Sequence, residues 1–196
     1  MSNKKFLSLA SALAILFSGA ASAEVITFDF TGTVTYANDP ALATAGTPIH
    51  GTFSYDDKTK PVNDLKVGFA SYRFPPLSFI TATVGGHNIS TDNLRVDLWN
   101  DFGGNVEDFL NIDGGPVHVD DATYQDGSFG LMLASGPGYT KALNSTNLPT
   151  SLDLKAFNSS LNSGWLMMDG SQTGTLLQFS IDSVVAHCHS SVCTSH

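Results

Sequence analysis

Glutamate is almost missing from this 196-residue chain: sixteen of its 18 acidic residues are aspartate, leaving only Glu24 and Glu107. Glutamate suits helix interiors, whereas aspartate competes for backbone amides and favours turns and caps. No stretch carries a ten-residue helical pattern either. Parallel β-α-β units, which need helical crossovers, are therefore excluded. Basic residues are scarce, with 9 Lys+Arg in all. Nucleic acid and anionic lipid both demand a basic surface, so neither is expected as a partner. Long apolar runs are also lacking. The run Phe6–Phe17 holds twelve apolar or small residues, roughly 18 Å of helix against a hydrocarbon core of roughly 30 Å. Catalytic signatures are absent too: there is no Gly-x-Ser-x-Gly, no His-Glu-x-x-His and no phosphate-binding glycine loop.

The N-terminus reads as a cleavable export signal. Lys4 and Lys5 precede the apolar run, and Ala21-Ser22-Ala23 supplies the small residues of a cleavage site. Three regions follow: a signal at 1–23, one domain at 24–186 and a Cys/His-containing tail at 187–196. Cleavage after Ala23 releases a secreted or periplasmic chain with no membrane span. That mature chain carries 7 basic against 18 acidic residues, a formal charge of −11. Cys188 and Cys193 are the only cysteines, and in an exported protein they are expected to form one disulfide. A ring this small pins only the tail, so the core must fold unaided.

Alternation of apolar and polar residues dominates the mature chain. From Ile26 to Tyr36 the even positions are Ile, Phe, Phe, Gly, Val and Tyr, while the odd ones are Thr or Asp. One buried and one wet face follow. Further strands are expected at 49–55, 68–74, 79–84, 94–99, 109–112, 128–134, 151–157 and 165–168. A last strand, 175–186, slips phase near Ser183, which suggests a bulge. Segment 143–149 reads as a long loop or short helix. About ten strands joined by turns predict an all-β fold, a mainly antiparallel β-sandwich or jelly roll.

Chemistry-bearing residues are sparse. Asp101, Asp108, Asp113 and Asp121 fall in turn-rich sequence and are candidate calcium ligands, although the EF-hand spacing is absent. The same residue types build metal-free turns. His187, Cys188, His189, Cys193 and His196 could supply zinc donors, but an oxidising compartment removes the thiolates that zinc needs. Trp99 and Trp165 could stack on sugar rings, yet both sit in apolar strands, where core packing is the expected role. Glu107-Asp108 are adjacent, and neighbours on a strand face opposite ways, so no carboxylate pair for glycoside hydrolysis stands out. His50, His87 and His118 are isolated. Asn88, Asn144 and Asn158 open N-glycosylation-type triplets, which also arise by chance in Asn- and Ser-rich sequence.

The order of these segments resembles exported PEP-CTERM-type bacterial proteins. The resemblance is carried by Ile26-Thr27-Phe28-Asp29-Phe30-Thr31-Gly32-Thr33-Val34, Gly51-Thr52-Phe53-Ser54-Tyr55-Asp56, Val84-Gly85-Gly86 and Phe179-Ser180-Ile181-Asp182-Ser183-Val184. Those proteins continue into a Pro-Glu-Pro element, an apolar span and a basic end. Here Val185 leads into the Cys/His tail, so the resemblance implies a member without the sorting anchor, expected to be released rather than retained. The resemblance implies surface or extracellular-matrix association and no defined activity. The expected role is a non-catalytic exported protein interacting with extracellular polysaccharide or a surface protein. A calcium- or carbohydrate-binding module is the alternative, and a hydrolase a distant third.

Overall fold

The computed structural model describes residues 25–65, 68–75, 78–102, 107–136, 142–169 and 174–188. The signal segment and the Cys188–Cys193 pairing lie outside the described residues, as do the tail donors beyond Cys188. The described residues form thirteen strands: β1 (Val25–Ala37), β2 (Pro48–Asp56), β3 (Asn63–Leu65), β4 (Phe69–Arg73), β5 (Ile80–Val84), β6 (His87–Thr91), β7 (Arg95–Phe102), β8 (Glu107–Gly114), β9 (Val117–Val119), β10 (Ala122–Tyr124), β11 (Ser128–Ala134), β12 (Ser163–Met167) and β13 (Thr175–Cys188). No helix occurs among the described residues that is long and apolar enough to cross a membrane.

Every strand pair is antiparallel, in the order β10-β9-β6-β5-β2-β1-β13-β12-β11-β8-β7-β4-β3. The connections force this sheet to roll. Strands β6 and β7 stand eight places apart in that order, about 38 Å on a flat sheet. Yet only 92–94 join them, a reach of at most about 15 Å. The link from β8 to β9 makes the same jump with two residues. Strands β6 and β11, six places apart, accordingly come within 8 Å between Cα atoms. The flanks face each other, and the all-β sandwich expected from alternation is what forms.

The inward face is apolar and aromatic. Phe30, Phe129 and Phe179 make a triangle with ring centroids 6.1–6.4 Å apart, tying β1, β11 and β13 together. Gly164 makes room for one of these rings, because a Cβ there would fall inside the contact shell of three Phe179 ring carbons. Tyr55 and Tyr72 point their hydroxyls out of the core and donate to Pro149 O (2.6 Å) and Thr146 O (2.8 Å). These bonds, with Leu143 and Leu148 buried, dock segment 143–149, which is irregular rather than helical.

Two bulges set which side chains face out. Thr31 pairs with Ser183 but Gly32 with Ile181, so Asp182 is the extra residue, beside the position where the phase slips. Thr35 is extra in the same way, between Val34–Phe179 and Tyr36–Gln178. Tyr36, expected inward, is thereby turned outward and is 47% exposed. The strand expected at 151–157 does not form. The Asp153 carboxylate accepts from Lys155 N (2.9 Å) and its carbonyl from Ala156 N (2.9 Å), closing a turn in place of a ladder.

Candidate functional site

The outward face of β4, β7, β8, β11 and β12 brings aromatic, basic, acidic and amide side chains together. Val96 and Leu98 point inward from β7, so Arg95, Asp97 and Trp99 point outward. On β8 the inward residues are Asp108, Leu110 and Ile112, leaving Phe109, Asn111 and Asp113 outward. On β12 Leu166 is buried and Trp165 turns out. Register then lines these side chains up in rows across the strands: Phe69–Trp99–Phe109, Ser71–Asp97–Asn111, and Arg73–Arg95–Asp113–Gly130–Trp165.

The last row floors an open cleft of about 530 Å³ flanked by Asn93, Asn111, Ser128 and Met167. Gly130 decides its shape. A Cβ there would meet Asp113 Cβ at 2.7 Å and Trp165 Cζ2 at 2.9 Å, so the missing side chain lets the indole edge close on the Gly130 backbone. Its Nε1–H donates to Ser128 Oγ (2.9 Å), which fixes its orientation. Beside the indole, Arg95 pairs with Asp113 through Nη2 and approaches Asp97 Oδ2 at 3.3 Å through Nε. Arg73 Nη1 reaches Asp97 Oδ1 at 3.3 Å and donates to Ser71 Oγ at 2.9 Å. Asn111 donates to Asp113 Oδ2 (2.9 Å). Two guanidinium groups and two carboxylates balance, so the cleft is polar but carries no net charge. Both tryptophans therefore lie on the outer face, partly exposed, rather than in the core. Trp99 packs against Phe69 and Phe109.

The four candidate calcium ligands do not converge. Asp108 and Asp113 lie on opposite faces of β8, five residues apart. Asp108 is wholly buried, and its carboxylate accepts from Asp101 N and Leu143 N, each at 2.9 Å. Asp101 itself adopts φ 55° at an irregularity of β7. Asp121 is exposed in the β9–β10 turn. Among the described residues, no three His, Cys, Asp or Glu side chains gather to hold a metal ion.

The histidines are not isolated. His87 Nδ1 lies 2.6 Å from Asp120 and its Nε2 lies 3.0 Å from Ala41 O. Both partners are acceptors, so the geometry suits the doubly protonated ring. The hydrogen bond to Asp120 is the main cause raising the His87 pKa, and the bond from Asn88 N to Asp120 is the main cause lowering that of Asp120. His118 pairs with Asp92 (2.6 Å) and His187 with Asp29 (2.7 Å). Alternation could not reveal these partners, because they come from distant turns and strands.

No family model, curated protein or solved structure matches the chain. The chemistry of the cleft thus stands on its own geometry. An aromatic plate accepts the C–H face of a sugar ring, while carboxylates accept and guanidinium and carboxamide groups donate to hydroxyls. A larger hollow of about 780 Å³ lies among Asp57, Lys58, Lys60, Asp64 and Asn147. Its only ring, Tyr72, is buried, so it offers no comparable plate.

Proposed function

We propose that this protein is a non-catalytic, exported binding module that holds neutral saccharide of the cell surface or extracellular matrix at the Trp165 cleft. One observation carries the proposal: the partly exposed Trp165 ring packs beside Gly130 in a cleft shared with a charge-balanced set of arginine, aspartate and asparagine side chains. Free carboxylates or phosphates would call for uncompensated cations, and here Asp97 and Asp113 already engage both arginines. Hydroxyls, which donate and accept at once, suit the mixture better. The acidic mature chain also favours a neutral ligand over a polyanion. The export-signal reading of residues 1–23 supports the setting, and the resemblance to PEP-CTERM-type proteins supports a matrix role.

Retention on insoluble polysaccharide and titration with soluble oligosaccharides test the proposal. Trp165→Ala is expected to cost about 2 kcal/mol of binding, roughly thirtyfold in Kd. The fold should survive, since Trp165 lies on the outer face. Unaltered binding by the variant, or no binding by the native protein, refutes the site.

A further inference from the structure

The row through Trp165 does not stop at the cleft. Trp165 pairs with Gln178 on β13, and Gln178 pairs with Tyr36 on β1. A second open depression of about 370 Å³ lies on that side, lined by Ser163, Gly164, Trp165, Met167, Thr175 and Gln178. Trp165 and Met167 therefore line both hollows. From Arg95 the row crosses Asp113, Gly130, Trp165 and Gln178 to Tyr36, five strand steps or about 24 Å. Tyr36 is a second exposed ring, two strands or about 10 Å beyond Trp165. It stands outward only because Thr35 is bulged from β1. A pocket for one terminal sugar needs walls at both ends; this surface is open along its length.

We infer that the ligand is an internal stretch of a linear neutral polysaccharide, running across the strands from the Arg95–Asp113 pair, over Trp165 and Gln178, to Tyr36. This rests on the saccharide site described above and adds its direction, its length and a second stacking ring. Successive sugar units face different polar groups. Asn111 and Asp113 meet hydroxyls at one end, and the Gln178 carboxamide meets them at the other, where it both donates and accepts.

Calorimetric titration with linear gluco-, xylo- and chito-oligosaccharides of one to six units tests the inference on the full mature chain. Affinity should rise about tenfold or more between the disaccharide and the hexasaccharide of the preferred series, as each added contact contributes. Tyr36→Ala should weaken the hexasaccharide complex about tenfold. Circular dichroism should confirm the variant is folded, as Tyr36 lies outside the core. A monosaccharide that binds as tightly as the hexasaccharide, or a Tyr36→Ala variant with native hexasaccharide affinity, overturns the extended path and leaves the Trp165 site standing. Failure of every oligosaccharide and of insoluble polysaccharide to bind overturns both.

Discussion

Replacing Asp108 by alanine should weaken the fold without any metal being involved. Asp108 is fully buried, and each carboxylate oxygen accepts one backbone N–H, from Asp101 and from Leu143. Hydrogen bonds to a charged acceptor contribute about 1.5–3 kcal/mol each, and orphaned buried donors cost about 1–3 kcal/mol. The two bonds overlap in what they stabilise, so a total loss of about 3–5 kcal/mol is expected. Native domains hold about 5–15 kcal/mol, so the variant should be folded but visibly weakened. Asp108→Asn keeps one acceptor and turns an amide N–H toward the other donor, so it should recover only part of the loss. Urea denaturation followed by tryptophan fluorescence measures the shift, run once with calcium and once with chelator. The same loss in both buffers is expected. A loss seen only with calcium present would refute the hydrogen-bond account and restore Asp108 as a metal ligand.

The His87–Asp120 pair should tie stability to pH. The His87 pKa is raised from 6.5 and the Asp120 pKa lowered from 3.8. The histidine contribution is thus complete below pH 6.5 and lost as pH rises through the raised value. The aspartate contribution is present above pH 3.8 and lost as pH falls through the lowered one. Melting midpoints across pH 3–9 should therefore show a fall on the alkaline side of 6.5 that shrinks in His87→Gln; an identical profile in the variant removes the pair from the account. Gly164→Ala should destabilise by about 1–3 kcal/mol through overpacking against Phe179, measured by thermal melting, and a neutral effect would show that the ring can move aside.

Much of the architecture was legible because alternation is physical. Ile26 to Val34, Ile49 to Tyr55 and the phase slip at Ser183 mark buried faces and a bulge before any pairing is known. The four missed strands are short, and β3, β9 and β10 have three residues each, too few to show a period. Segment 151–157 misled because Leu152 and Leu154 alternate with polar neighbours while Asp153 captures the backbone in a turn. The site was harder to see. Leu94, Val96 and Leu98 already placed Trp99 outward by parity, and Leu166 did the same for Trp165, but the local apolar richness suggested the core. What no parity argument supplies is the row. Gly130 and Trp165 are 35 residues apart, and only strand order makes one the floor for the other. Asp108 and Asp113 looked like companions because they are close in sequence; an odd separation along a single strand drives them apart.

The first strand lies between β2 and the last, β13, in the middle of the rolled sheet. A chain emerging N-terminus first from a ribosome must therefore wait for some 150 further residues before β1 gains its second partner. High sequence separation between contacting residues slows folding. The edge of β1, with Phe28 and Phe30 on its apolar side, stays open for that whole interval. Arrival of β13 thus closes the second side of β1 and acts as the latch of the fold.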